Sequence, residues 1–192
     1  MYVPRPHTEL VARRAAQLLP PTGTAVDVCT GCGAVAAVLL RHGARLVVAS
    51  DIEPRAVACA RRNGVNAYLG DLFTPVPQAL RGATDLVVAV VPYVPTAALG
   101  YLQRDTFSFE SERSYHGGEG GTDVLRRVIA EAPEWLRSGG FLLLEVGGEQ
   151  HALLADAFEQ AGFREVRSIA DDDGDIRGVE AQLLGPPRSD AS

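Results

Sequence analysis

A chain of 192 residues, 46% of them apolar, is long enough to bury one sizeable core, and a single domain over residues 1–185 is expected. The formal charge of −6 excludes a general nucleic-acid binder, which needs a basic face, and no apolar run approaches the roughly 20 residues of a membrane span. Three cysteines are too few for a disulfide framework and Met1 to Arg5 carries no signal-peptide core, so a reducing cytoplasm is the expected setting.

Val3-Pro4-Arg5-Pro6 reads as extended, because each proline disfavours helix in the residue before it. Thr8 is placed to cap a helix over about Glu9–Leu19, which Pro20-Pro21-Thr22-Gly23 stops. A strand over Thr24–Val28 enters a glycine-bearing turn at Thr30 to Gly33, and Ala34–His42 follows as helix. Strand, Gly-x-Gly turn and helix form the first half of a nucleotide-binding βαβ unit. Glycine there lets the backbone turn tightly and approach a ligand. A second strand, Arg45–Ser50, ends at Asp51, 20 residues past Gly31, where a carboxylate can accept from both ribose hydroxyls.

Pro54 then opens a helix reaching Asn63; Val65–Leu69 is a short third strand before Gly70-Asp71-Leu72-Phe73, and Pro75–Arg81 is a helical turn. Asp85–Val91 is continuously apolar, the mark of a strand covered on both faces, and Pro92-Tyr93-Val94-Pro95 ends it. Thr96 to Gly121 is a long aromatic and polar loop with a glycine cluster at Gly117; loops of that length are functional or mobile. Asp123–Arg137 reads as a helix closed by Ser138-Gly139-Gly140, Phe141–Val146 as a buried strand and Gln150–Ala161 as a helix. Phe163–Ile169 and Val179–Leu184 are final strands around the acidic turn at Asp171, and residues 186–192 read as a disordered tail. Alternating β and α with a consecutive final pair implies an α/β, Rossmann-like seven-stranded sheet, mostly parallel with one antiparallel strand and helices on both faces.

Several pieces stand in a shared order and spacing: Val3-Pro4-Arg5-Pro6-His7-Thr8-Glu9, Asp27-Val28-Cys29-Thr30-Gly31-Cys32-Gly33-Ala34, Asp51, Gly70-Asp71-Leu72-Phe73, Pro92-Tyr93-Val94-Pro95, Leu144-Glu145-Val146 with Gln150, and Asp171 with Gly174 and Arg177. Together, over residues 3–184, they resemble the HemK/PrmC family of protein-(glutamine) methyltransferases, within the class I S-adenosylmethionine methyltransferases. The resemblance implies that S-adenosyl-L-methionine lies across the carboxyl ends of the strands. It implies that the backbone of Cys29, Thr30, Gly31, Cys32 and Gly33 lines the methionine part, that Asp51 holds the ribose, and that Asp71 and Leu72 flank the adenine. Asp27, Ile52 and Val90 complete that implied pocket, and Val90, Val91, Pro92 and Tyr93 form the acceptor side.

The sequence departs from the family at its hallmark. Where the family has Asn-Pro-Pro-Tyr, this chain has Val90-Val91-Pro92-Tyr93. In the family the Asn side chain and the next carbonyl accept the hydrogens of the substrate amide, and orienting that poor nucleophile is most of the catalysis. Val90 offers only its carbonyl, so the expected acceptor is a protein side chain or small molecule other than the release-factor glutamine. The family's separate N-terminal helical domain is not part of the sequence.

Cys29 and Cys32 have Cys-x-x-Cys spacing, but zinc needs two further ligands and Cys59 lies far along the chain; no metal is expected. His116, beside Tyr115, is either a general base titrating near neutrality or a solvated loop histidine. His7 could lie near the cofactor entrance, Glu110 and Glu112 could bind a cationic substrate, and Glu145 and Arg177 could be buried partners. The leading function is methyl transfer by direct displacement. Competing with it are a non-catalytic cofactor- or partner-binding module, which the loss of the Asn motivates, and a nicotinamide-dependent dehydrogenase, suggested by the partial fingerprint at Gly31-Cys32-Gly33-Ala34-Val35-Ala36.

Overall fold

A computed structural model describes residues 4–101 and 116–185. Seven strands form one sheet: β1 (Thr24–Val28), β2 (Leu46–Asp51), β3 (Asn66–Leu69), β4 (Thr84–Ala89), β5 (Leu136–Glu145), β6 (Phe163–Ala170) and β7 (Ile176–Leu183). Their order is β3-β2-β1-β4-β5-β7-β6. The first five strands pair in parallel, and β7 runs antiparallel to both β5 and β6. The helices are α1 (Pro6–Leu18), α2 (Ala34–Arg41), α3 (Pro54–Arg62), α4 (Asp123–Glu131), α5 (Gln150–Leu153) and α6 (Ala155–Gln160).

The continuous apolar strands are explained by burial on both sides. Along β4, Leu86 and Val88 pack on the face that carries α1, α2 and α3, whereas Val87 and Ala89 pack on the face of α4 and α6. Along β5, Leu143 and its neighbours Leu142 and Leu144 split the same way. Arg14 of α1 closes the first face by a paired hydrogen bond to Glu180 of β7, with Nη2–Oε1 at 2.7 Å. Phe73 stacks on Trp135 at 5.7 Å on the second face.

Three local expectations are corrected. Thr8 is not the first cap: α1 begins at Pro6, whose missing N–H costs nothing in a first turn, and Thr8 Oγ1 instead accepts from the Arg5 N–H at 3.3 Å. The helix expected to reach Arg137 stops at Glu131, because Pro133 cannot continue the α-helical ladder, and Leu136 already pairs with Thr84 as the start of β5. Gly139 (φ +78°) and Gly140 therefore sit inside β5, in the irregular stretch between its pairings with Thr84 and Leu86. The Gln150–Ala161 helix is broken into α5 and α6 at Leu154. The expected tail, 186–192, lies outside the described residues.

Candidate active site

Strand β1 pairs with β2 on one side and β4 on the other, so the order of the sheet reverses at its carboxyl end. Open α/β sheets bind ligands in the crevice that this reversal creates. The turn after β1 lies there. Cys29 (φ +56°), Gly31 (φ +58°) and Gly33 (φ +82°) fold it back in left-handed conformations. The glycine at position 33 has a packing reason as well as a conformational one: a Cβ there would meet Val65 Cγ2 at 2.9 Å and Ala60 Cβ at 3.1 Å.

Asp27 is buried beneath this turn. Its Oδ2 accepts from Thr30 Oγ1 at 2.6 Å and from the Ala36 N–H at 3.2 Å, while Oδ1 is buried with no partner among the described residues. Burial pushes its carboxyl up to about 7, against the lowering effect of the Thr30 and Ala36 hydrogen bonds. An acceptor held dry without a donor is a place where a ligand's N–H or O–H completes the structure.

Asp51, ending β2, is fixed from two sides: Gly31 N–H donates to Oδ2 and Glu53 N–H to Oδ1, each at 2.8 Å. Burial raises its carboxyl and those two amides lower it. One lone pair of each oxygen remains for a ligand. The neighbouring Ile52 is 59% exposed, an apolar side chain left bare beside a fixed carboxylate. Beside it Leu72 is buried in a left-handed backbone (φ +44°), its carbonyl held by Ser50 Oγ at 2.6 Å. Asp71 pairs with Arg127 of α4, Nη2–Oδ2 2.7 Å. Cys29 lies among all of these: burial pushes its thiol up, aided by Asp51, Asp27 and Asp71 and opposed by Arg127. Cys29, Cys32 and Cys59 are free thiols.

At the other end of the crevice Val90 is half-buried, Val91 is buried, and Pro92 leads to Tyr93. Tyr93 Oη donates to Glu145 Oε1 at 3.1 Å and lies 3.0 Å from His7 Nε2, which is itself 3.2 Å from Glu145 Oε1. Both contacts of His7 are made through Nε2, and its tautomer decides which of them it donates to. The Tyr93 carbonyl is held as firmly: buried Gln150 donates to it at 2.6 Å, donates to the Gly121 carbonyl at 3.1 Å, and accepts from Gly147 N–H at 3.0 Å. His116 sits on the exposed loop beside this segment, its Nε2 2.9 Å from Thr96 Oγ1.

The turn residues, Asp27, Asp51, Ile52, Asp71 and Leu72 are thus brought to one crevice, and Val90 to Tyr93 to its far end. Glu145 and Arg177 are not partners: Glu145 joins Tyr93 and His7, and Arg177 binds Asp171 and Asp175, each at 2.7 Å. Tyr115, Glu110 and Glu112 lie outside the described residues. Arg127 and the linking role of Gln150 were not legible; Arg127 looks like any exposed arginine of an amphipathic helix.

Residues 10–170 match the family model described as FtsJ-like methyltransferase. Release factor glutamine methyltransferases are similar in sequence: that of Mycolicibacterium smegmatis is 35% identical, covering 96% of this chain and 68% of the relative. That of Geobacter sulfurreducens is 31% identical, covering 94% and 65%. Among solved structures, E. cuniculi Mtq2 in complex with Trm112 superposes with a TM-score of 0.68 at 22% identity, covering 96% of this chain and 98% of that one. The sheet order, the crevice and these matches define a class I S-adenosylmethionine-dependent methyltransferase. Within that class the chain belongs to the release factor glutamine methyltransferase (HemK/PrmC) family. It spans about two thirds of the length of the curated relatives it matches. Membership replaces the dehydrogenase reading. The relatives' names give no support to the expectation of a different acceptor. No helix among the described residues is long and apolar enough to cross a membrane.

Proposed function

We propose that this chain transfers the methyl group of S-adenosylmethionine to a protein side chain presented at the Val90–Tyr93 end of the crevice. The observation that carries the reading is the buried, unpartnered Asp27 Oδ1 beside a turn whose next amide is tied to Asp51. When bound, the cofactor supplies an electrophilic methyl on a sulfonium. The protein's work is alignment and exclusion of water. Asp27 Oδ1 would accept from the ammonium and the Asp51 carboxylate from the ribose hydroxyls, while Ile52, Leu72 and Asp71 would hold the purine. Backbone carbonyls of Val90 and Val91 face the acceptor, and Tyr93 walls it.

The first acceptor to try is the release-factor glutamine named for the relatives. One observation favours a second reading: Val90 has no hydrogen-bonding side chain to orient a primary amide, so an acceptor that is basic or readily deprotonated needs no replacement for it. Calorimetric titration with S-adenosylmethionine and S-adenosylhomocysteine, on wild type and Asp51→Ala, tests the pocket. Labelled-methyl transfer to intact release factor, with mapping of the modified residue, tests the acceptor. Micromolar binding lost in Asp51→Ala supports the reading. A folded wild type that binds neither ligand overturns it in favour of a non-catalytic, partner-binding module.

A further inference from the structure

One charged pair at the crevice has a member, Arg127, to which the contacts assigned above give no part. Arg127 of α4 grips Asp71 with both ends of its fork, Nη1–Oδ1 at 3.3 Å and Nη2–Oδ2 at 2.7 Å. Both side chains are about half exposed, and such a pair contributes little to folding. Its location is the telling feature. Asp71 stands between Gly70, whose N–H is bonded to the Asp51 carbonyl, and Leu72, whose carbonyl is bonded to Ser50 Oγ, so the pair borders the crevice beside Asp51.

The backbone that carries Asp71 is already fixed. Gly70 N–H donates to the Asp51 carbonyl at 3.0 Å, Thr74 N–H to the Asp71 carbonyl at 3.0 Å, and Ser50 Oγ to the Leu72 carbonyl at 2.6 Å. A Cβ at Gly70 would meet Pro75 Cγ at 2.7 Å, so the loop packs closely enough on itself that only glycine fits there. What remains free in Asp71 is the rotation of its carboxylate, and that is what the planar fork of Arg127 sets. Each oxygen gives one lone pair to the fork and keeps another.

Resting on the methyltransferase reading, we propose that Arg127 is a positioning and specificity residue for the purine. It orients Asp71 so that the carboxylate accepts the exocyclic N–H of a 6-aminopurine. A 6-oxopurine places an oxygen there, against a fixed carboxylate, and is refused.

The test titrates S-adenosylhomocysteine and S-inosylhomocysteine, which has oxygen in place of the amino group, into wild type, Arg127→Gln, Arg127→Lys and Asp51→Ala. Wild type prefers the adenosyl ligand by at least about tenfold. In Arg127→Gln the adenosyl ligand weakens by about tenfold while the inosyl ligand stays within about twofold, so the preference collapses at an unchanged melting temperature. Arg127→Lys behaves like Arg127→Gln, because an ammonium is a point charge without a fork. A preference kept in full by Arg127→Gln or Arg127→Lys, or an equal weakening of both ligands, overturns the inference. Wild type that binds neither ligand overturns both the inference and the methyltransferase reading. Adenosyl binding that Asp51→Ala abolishes but Arg127→Gln leaves with its full preference overturns the inference alone.

Discussion

Tyr93 and Glu145, 52 residues apart in the chain, meet in a 3.1 Å hydrogen bond at the carboxyl end of the sheet, and Glu145 is fully buried there. Tyr93→Phe removes the donor and leaves the buried carboxylate with His7 as its partner in this cluster, a loss of about 1–3 kcal/mol. Urea denaturation of Tyr93→Phe measures it. A change within about 0.3 kcal/mol of wild type, the usual scatter of such measurements, would show that the bond contributes nothing to stability.

Asp27 makes stability depend on pH in an unusual direction. The unfolded chain releases this proton near 3.8, whereas the folded chain keeps it until about 7. Between those values the folded state binds more protons, so stability is full below 3.8, falls as pH rises, and levels off above about 7. The loss amounts to up to about 4 kcal/mol. Asp27→Asn cannot ionise and flattens this slope; denaturation of both proteins across the window checks it.

The same carboxyl reports on the ligand. A ligand ammonium at Oδ1 stabilises the charged form that burial disfavours, so binding of S-adenosylhomocysteine at about pH 6 releases a proton from Asp27. Calorimetry in buffers of different ionisation enthalpy detects it, and the release disappears in Asp27→Asn. Binding without proton release in wild type contradicts the placement of the ammonium.

Gly33 and Gly64 separate conformation from packing. Their φ angles are +82° and +80°, but a Cβ at Gly64 meets nothing within 4 Å, whereas one at Gly33 strikes Val65 and Ala60. Gly64→Ala costs about 1 kcal/mol, the backbone term alone. Gly33→Ala costs about 1–3 kcal/mol more, through overpacking against α3. Equal losses for the two variants would refute the packing argument.

Gln150 joins three segments that are remote in sequence: Tyr93 after β4, Gly121 before α4 and Gly147 after β5. Gln150→Glu turns a donor facing two carbonyls into an acceptor, at a cost of about 1–3 kcal/mol for each carbonyl left dry. Hydrogen exchange shows the effect as faster exchange through Gly117 to Thr122, with β1 and β2 unchanged. Uniform acceleration across the sheet would instead indicate a global loss of stability.

What was legible in the sequence follows from local rules. The strand–turn–helix at Thr24 to Arg41, Pro54 at the head of α3 and the doubly buried β4 are written in neighbouring residues, and each stands within a residue or two of its expected place. Where one stretch serves two elements, local reading fails. Leu136 fits the apolar stripe of α4 but is claimed by Thr84 of β4, a pairing across 52 residues. Ser138-Gly139-Gly140 has the composition of a helix stop and is instead an irregularity in β5. The carboxylates of the crevice were legible because a turn of fixed length places them. Their partners were not: Arg127 for Asp71 and His7 for Glu145 come from helices docked by tertiary packing, which leaves no mark at either position.

The position of β7 carries a consequence for synthesis. Residues 176–183 follow β6 in the chain yet lie between β5 and β6 in the sheet. Until they leave the ribosome, β5 has an open edge on one side and β6 has no neighbour at all. A nascent chain halted before Ile176 has every strand from β1 to β6 but leaves the flank of β5 that β7 covers open to any other strand it meets. Such an arrested fragment carries an unpaired apolar strand edge, the kind of surface on which incomplete chains aggregate.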